Sequence, residues 1–248
     1  MKLMMGSTLF EYFSFPGDIL IQDSPARTAG MNGVLSMTQQ EPVYYINGKC
    51  PDADTRLALQ LQTMLAGLGV SGFPVILCIG TDRVTGDSLG PLAGSFLEAY
   101  GAFHPLTVYG TLDAPIHALN LSRNLRRIKN KHPLRPILAV DASLGARRHV
   151  GYITLGRGSL APGAGVQKNL EPVGDLFITG IINAASSGGQ LALQNTRLAP
   201  VARLACCIAR GILEACATVP PGLPEPAAAS SRQYIPDLLP QERRWQSC

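Results

Sequence analysis

Charged residues are scarce in this sequence, at 15% of its 248 residues. Disordered polyelectrolytes carry far more charge, so a hydrophobic content of 46% predicts a globular core instead. The net charge of only +4 argues against a nucleic-acid partner, which usually requires a concentrated basic face. One basic cluster exists, and its spacing is typical of a solvated helix face: Arg123, Arg126, Arg127, Lys129 and Lys131.

CxxC motifs and long apolar runs are also missing. None of the six cysteines forms a CxxC motif, which argues against a zinc knuckle or a dithiol redox site. Cys78, Cys206 and Cys207 lie in apolar segments, where a thiol packs as a small hydrophobic group, as in a reducing compartment. No stretch approaches about 20 apolar residues, and Glu11 and Pro16 interrupt the N-terminus, so we expect neither a membrane span nor a signal peptide. These absences predict a cytoplasmic protein.

Three regions of the chain differ in pattern. Residues 1–55 have no steady period apart from a short strand at Val43–Ile46, and they predict a poorly ordered N-terminal extension. Residues 56–217 are strongly patterned and predict a single α/β domain. Residues 218–248 begin with a Pro- and Ala-rich stretch and predict a disordered tail.

Apolar periodicity predicts that helices and strands alternate in the central region. Strands are predicted from short apolar runs at Val75–Gly80, Leu106–Tyr109, Pro136–Asp141, Val150–Leu155 and Asp175–Asn183. Helices are predicted at Thr55–Leu68, Ser88–Tyr100, Pro115–Lys131 and Gly189–Ala217, the last divided at Pro200. The β-α-β-α-β order is typical of a parallel sheet with helices on its faces.

The most informative segment is Gly80–Pro91, GTDRVTGDSLGP, which joins a buried strand to a helix. Parallel sheets bind ligands at this edge. Its glycines resemble those of a phosphate-binding loop, but their gap is one residue too long and Asp87 stands where a lysine is needed. The segment also contains the G-x-S-x-G pattern of serine hydrolases, with Ser88 as nucleophile. No histidine follows His149 to serve as its base, so a helix-capping Ser88 is the stronger interpretation.

Two acidic residues offer a third interpretation. Asp87 follows one predicted strand and Asp141 ends another, so parallel pairing would bring both to one crevice. Two close carboxyl groups cannot both ionise easily, so one keeps a proton. The ionised group can then activate water while the protonated one polarises a carbonyl. Capping is the alternative for each, but Asp82 and Arg83 in the same loop favour a site.

Three motifs together resemble a known family: GTDRVTGDSLGP, VDASLG and ITGIINAASSGGQLALQNTRL. They look like the YyaC-like (DUF1256-type) sporulation proteins, relatives of the spore germination protease, over roughly residues 72–215. The resemblance implies a phosphorylase/hydrolase-like, three-layer α/β/α sandwich with a mostly parallel sheet. It also implies catalytic roles for the aspartates of GDSLGP and VDASLG, which are Asp87 and Asp141.

The resemblance extends to hydrogenase maturation endopeptidases, which hold nickel with the same acidic positions and a later histidine. Because this chain has no histidine after His149, and carboxylates alone are poor nickel ligands, we expect no metal and no other cofactor. Asp82 is a weak candidate for a third ligand.

The leading hypothesis is a sporulation-associated aspartic-type endopeptidase, located in the cytoplasm of the sporulating cell or spore. Its substrate would be a peptide or small spore protein, with neither nucleic acid nor membrane as partner; a homo-oligomer stays open. Besides the two catalytic aspartates, substrate-binding roles are assigned to Asp82, Arg83, Ser88 and Ser187. The alternatives are a non-catalytic peptide- or protein-binding module on the same scaffold and, last, a Ser88 esterase.

Overall fold

The computed structural model describes residues 19–22, 42–68, 73–101, 106–162, 171–185 and 189–218. Its strands, in chain order, are β1 (Ile19–Gln22), β2 (Val43–Asn47), β3 (Val75–Cys78), β4 (Val108–Tyr109), β5 (Ile137–Gly145), β6 (Tyr152–Arg157) and β7 (Leu176–Ala184). Its helices are α1 (Ala53–Ala66), α2 (Leu89–Tyr100), α3 (Leu121–Lys131), α4 (Gly189–Gln194) and α5 (Leu198–Thr218). Short 3₁₀ turns cover Thr85–Ser88 and Arg147–His149.

All seven strands form one sheet, in the order β1-β2-β6-β7-β5-β3-β4. The half of the sheet from β7 to β4 is parallel. The half from β1 to β7 is antiparallel. Three of its strands, β3, β4 and β5, come from the segment whose alternating helices and strands predict a parallel sheet, because a helical crossover returns each strand to the same direction. β7 joins them through the antiparallel strand β6.

Side-chain alternation along the central strands divides the core in two. Ile76 and Cys78 of β3 pack with α1, α2 and α5 on one face, in a cluster that includes Leu57, Leu97 and Ile208. Val75, Leu77 and Ile79 face the other side and pack against Leu121, Leu125 and Ile128 of α3. Since successive strand residues point to opposite faces, both faces of the parallel strands are covered by helices. The predicted α/β class and three-layer sandwich are therefore confirmed.

The thiol of Cys78 lies completely buried in β3, where desolvation, with a smaller contribution from the charge of Glu98, raises its pKa. This agrees with the prediction that it packs as a small hydrophobic group. In the described part of the chain, no helix has the length and apolar character needed to cross a membrane.

Two strands correct the predicted start of the domain. β1 and β2 pair with each other, and β2 continues the sheet next to β6, although both lie in the segment predicted to be a poorly ordered extension. Ile46 of β2 is fully buried in the larger core. The folded unit therefore begins before residue 56, because antiparallel pairing with β6 orders a segment that has no period of its own. The remaining residues of the predicted extension, and the predicted tail beyond Thr218, lie outside the described residues.

Three predicted boundaries are also wrong. The helix break does not fall at Pro200, which lies in the first turn of α5, where a missing N–H costs nothing. The predicted helix at Pro115–Lys131 begins only at Leu121, because Ile116 forms a parallel bridge with Ile79. Asp141 does not end its strand: β5 continues to Gly145, since its backbone keeps pairing with β7.

Candidate active site

The end of β3 is fixed by hydrogen bonds to both of its neighbours. The Ile79 N–H donates to the Val140 carbonyl at 2.7 Å, and the Gly80 N–H donates to the Ile116 carbonyl at 2.8 Å. β3 therefore ends beside the middle of β5, one residue before the level of Asp141. The loop after β3 begins at this point and carries Asp87 back toward the same edge.

Two glycines allow the loop to close tightly. Gly80 has a φ of 142°, and a Cβ there would collide with the Asp87 carbonyl oxygen, which accepts the Thr81 N–H at 3.0 Å. At Gly86, a Cβ would lie 2.8 Å from the Cα of Leu193 in α4. The glycines of GTDRVTGD thus serve close backbone contacts.

Asp141 lies on the α3 side of the sheet. Its strand neighbours Ile137 and Ala139 pack in the α3 core, and alternation places Asp141 on that same side. The carboxyl group is only 5% exposed, and its Oδ1 accepts the N–H of Ala142 at 2.8 Å. Burial raises the pKa of Asp141 well above its usual value, the negative charge of Asp87 raises it further, and the Ala142 N–H partly lowers it.

The structure therefore brings Asp87 and Asp141 close enough for one charge to act on the other. Asp87 is half-buried in the 3₁₀ turn just before α2, where unpaired N–H groups stabilise negative charge. Asp141 therefore holds its proton more strongly than an exposed aspartate does. A buried carboxyl group beside a second carboxyl group is an arrangement of the kind that acid/base chemistry requires, although the catalytic role of either aspartate stays a prediction.

The other predicted site residues are placed differently. Asp82 and Arg83 are exposed on the outer turn of the loop, and the Arg83 N–H donates to Thr81 Oγ1 at 3.3 Å. Ser88 is buried, and its hydroxyl donates to the Thr85 carbonyl at 2.7 Å within its own turn. Ser187 lies outside the described residues.

The described histidines all bind groups other than Ser88. Nδ1 of His117 accepts the Leu119 N–H at 3.3 Å, and Nε2 of His132 lies 3.0 Å from the Tyr109 hydroxyl. His149 accepts a hydrogen bond from Arg148 at 3.3 Å. A hydroxyl whose proton is already donated to a backbone carbonyl, with these histidines bound elsewhere, does not favour a nucleophilic serine.

Three linked hydroxyl groups beside Asp141, two of them on buried residues, were not predicted. Thr179 is the cross-strand neighbour of Asp141 on β7, and Thr154 is the neighbour of Thr179 on β6. The Thr179 hydroxyl lies 2.9 Å from that of Ser143 and 2.7 Å from that of Thr154. Thr154 and Thr179 are hydroxyl residues within predicted apolar strands, and Ser143 lies two positions after Asp141. Period-two spacing was therefore the signal that could have identified them.

α4 is fastened beside the site by Asn183 at the end of β7. Its Nδ2 donates to the Ala192 carbonyl at 3.0 Å and to Thr196 Oγ1 at 3.2 Å, while its Oδ1 accepts the Ala184 N–H at 2.8 Å. Because Gly86 contacts the backbone of Leu193, this helix also borders the turn that carries Asp87. Asn183 and Thr196 belong to the third motif of the sequence, which accordingly serves to position α4.

Among the described residues, no group of three or more His, Cys, Asp or Glu side chains is arranged to hold a metal ion. The expectation of a site without metal or cofactor stays a prediction.

The fold and the paired carboxyl groups define an α/β sandwich protein with an acidic pair at the carboxyl end of β3. The chain belongs to the family described as "Protein of unknown function (DUF1256)", whose model matches residues 45–211. It is 43% identical over 185 residues to "Uncharacterized protein YyaC" of Bacillus subtilis (strain 168). The matched region covers 73% of this chain and 87% of that protein. The predicted YyaC-like family is thus confirmed.

Proposed function

We propose that this protein is an endopeptidase that hydrolyses peptide bonds with Asp87 and Asp141, and that it acts on small proteins of sporulating cells. The observation that carries the proposal is the buried Asp141, whose pKa is raised by burial and by the charge of Asp87. An acid/base pair of carboxyl groups needs one member that keeps a proton. The sporulation context rests on the resemblance to YyaC-like proteins.

In the proposed reaction, ionised Asp87 takes a proton from a water molecule as the water oxygen bonds to the peptide carbonyl carbon. Protonated Asp141 donates its proton to the carbonyl oxygen, which gives a neutral tetrahedral diol. Asp87 then returns the proton to the amide nitrogen as the C–N bond breaks, and Asp141 regains a proton from the diol. The products are a carboxylic acid and an amine, and both aspartates end in their starting states.

The test uses full-length protein, peptide mixtures and small acid-soluble spore proteins, with cleavage products identified by mass spectrometry. Asp87→Asn and Asp141→Asn should each lower kcat/KM by at least about 100-fold, the usual contribution of acid/base groups. Ser88→Ala should retain activity, and Asp113→Asn, an exposed acid outside the pair, is the matched control. Loss of activity only in Ser88→Ala, with inhibition by a serine-reactive phosphonate, would instead support an esterase.

The second candidate is a binding module without catalysis. The specific observation that favours it is the small exposed fraction of Asp141, because a peptide carbonyl must reach this carboxyl group for catalysis. Peptides that bind with equal affinity to the parent protein and to Asp141→Asn, and that are never cleaved by the parent, would establish the binding module.

A further inference from the structure

Positive charge is concentrated in one segment of the chain. Residues 106–150 contain eight Lys and Arg residues but only two acids, Asp113 and Asp141, for a net charge of +6. The whole chain carries +4, so the remaining residues together carry −2. The small overall charge therefore conceals a strongly basic region.

Most of this charge lies on one helix. α3 has no acidic residue, and its apolar side chains Leu121, Leu125 and Ile128 are buried against the sheet. All its cations are exposed, and we call them the basic face of α3: Arg123, Arg126, Arg127, Lys129 and Lys131. At 100° per residue, Arg123, Arg126 and Arg127 occupy the side opposite the buried stripe. None of the five is in an ion pair with a carboxylate of the described residues.

Lys129 and Lys131 lie in the last turn, where the helix dipole favours cations, but the rest of the arrangement is unfavourable for the helix alone. Arg123 and Arg127, and likewise Arg127 and Lys131, are like charges at i,i+4 spacing, which destabilises a helix. Arg123 also lies in the first turn, where the helix dipole disfavours a cation. Solubility needs only mixed charges, so the unbroken positive face suggests an anionic partner that relieves the repulsion.

The helix leads away from the candidate site. Because α3 precedes the parallel strand β5, its first turn lies at the sheet edge that carries Asp87 and Asp141, and Asp141 is on the α3 side of the sheet. From Arg123 to Lys131 the basic face extends about 12 Å, which an extended polypeptide covers with about four residues. Leu119 and Leu134, 93% and 90% exposed, stand just outside the two ends of the helix.

We propose that the basic face of α3 binds an acidic segment of a polypeptide substrate, with Leu119 and Leu134 contacting apolar residues at its ends. This inference rests on the proposed peptidase function, which supplies the reason for a polypeptide partner. The arginine guanidinium groups pair with carboxylates through two parallel hydrogen bonds. The positive surface attracts the segment, and the adjacent aspartate pair acts on the chain that continues from it.

Binding is tested by fluorescence anisotropy of full-length protein with a labelled peptide that carries a run of Glu between two Leu residues. The same peptide with Gln in place of Glu should bind at least about tenfold more weakly. Added salt should weaken binding of the Glu peptide. Arg126→Glu with Arg127→Glu should lose at least about tenfold in affinity for the Glu peptide. Lys49→Glu with Arg203→Glu, an equal charge change at exposed positions outside α3, should change it less than about twofold.

Leu119→Ser and Leu134→Ser test the apolar contacts, since side chains this exposed contribute little to folding. Each should weaken binding of the Glu peptide without changing the melting temperature of the protein. Equal binding of the Glu and Gln peptides, or an equal loss in the control double variant, would overturn the inference. So would tighter binding of phosphatidylglycerol vesicles or a short DNA duplex that depends on Arg126 and Arg127.

The two proposals fail in different ways. If the parent binds the Glu peptide through α3 but cleaves no polypeptide, the binding face stands and the peptidase proposal fails. If acidic substrates are cleaved and the Arg126/Arg127 charge reversal leaves their KM unchanged, the peptidase stands and the binding face is wrong. Where both hold, the reversal raises KM for acidic substrates and leaves kcat unchanged.

Discussion

At the scale of single residues, Asp141 is a buried acid inside the sheet. It is a carboxyl group within a nine-residue strand, 5% exposed, with the charge of Asp87 nearby. Both effects raise its pKa, so the folded protein binds a proton at Asp141 more strongly than the unfolded chain does. Such a group is a cost to stability at neutral pH.

The sign of the pH dependence follows from this difference. Between the unfolded and the folded pKa of Asp141, the folded state binds more protons, so its contribution to stability falls as pH rises through that window. Asp141→Asn keeps an oxygen for the Ala142 N–H and removes the titration. We expect it to raise the free energy of unfolding at neutral pH, because the amide does not carry the cost of ionising a buried carboxyl group. Urea denaturation at a series of pH values measures this.

Asp87→Asn is the matched control for that experiment. It removes the charge that further raises the pKa of Asp141, so the pH range over which stability falls should end at a lower pH. The fall should still be present, because burial also raises this pKa. A parent protein whose stability rises with pH across the same range would contradict the raised pKa of Asp141.

The hydroxyl chain beside Asp141 gives a second prediction for single residues. Thr179→Val keeps the shape but leaves the Ser143 and Thr154 hydroxyls without their shared partner, which should cost about 1–3 kcal/mol. Thr154→Val combined with Thr179→Val should cost less than the sum of the single changes, because one orphaned hydroxyl is removed. Chemical denaturation of the four proteins of this cycle gives the coupling energy, and strict additivity would mean that the two hydroxyls do not interact.

At the scale of elements, the short helix α4 depends on one side chain. Asn183 links the end of β7 to two groups of the α4 region, the Ala192 carbonyl and the Thr196 hydroxyl. Asn183→Ala should therefore cost about 1–3 kcal/mol and speed amide hydrogen exchange in α4 more than in α5. Asn195→Ala, an exposed asparagine near the same helix, is the control and should change neither. Uniform acceleration of exchange in both helices would show that Asn183 stabilises the whole domain and not this element.

At the scale of the whole molecule, β2 covers the edge of β6 and connects β1 to the sheet. Its Ile46 is fully buried, and its Tyr45 ring lies 5.0 Å from His149, which also contacts Tyr152 at 5.4 Å. Removing β2 would expose the edge of β6 together with this contact, and exposed edges promote aggregation.

Truncation tests this boundary. A chain that begins at Gly48 should lose more than about 3 kcal/mol of stability and aggregate, because it lacks the buried Ile46 and the pairing with β6. A chain that begins at Pro42 keeps β2 and should stay closer to the parent. Size-exclusion chromatography and thermal unfolding compare the two, and an unchanged melting temperature for the shorter chain would restore the predicted boundary at residue 56.

The sequence by itself determined the local elements and the chemistry available to the site. The apolar run VILCIG predicts β3, the spacing of TRLALQLQTMLAGL predicts α1, and GTDRVTGDSLGP with VDASLG identifies two acids that parallel strands carry to one edge. These features depend on neighbouring residues, so periodicity and turn chemistry reveal them.

Only the tertiary structure decided which segments pair and which groups lose contact with water. Asp141 lies within a strand because β7 continues alongside it, β1 and β2 belong to the sheet because β6 offers an edge, and Thr179 joins Ser143 and Thr154 because their strands are adjacent. The proton affinity of Asp141 likewise comes from burial and from a charge fifty-four positions away. Such contacts form between residues that are distant along the chain, so no local pattern contains them.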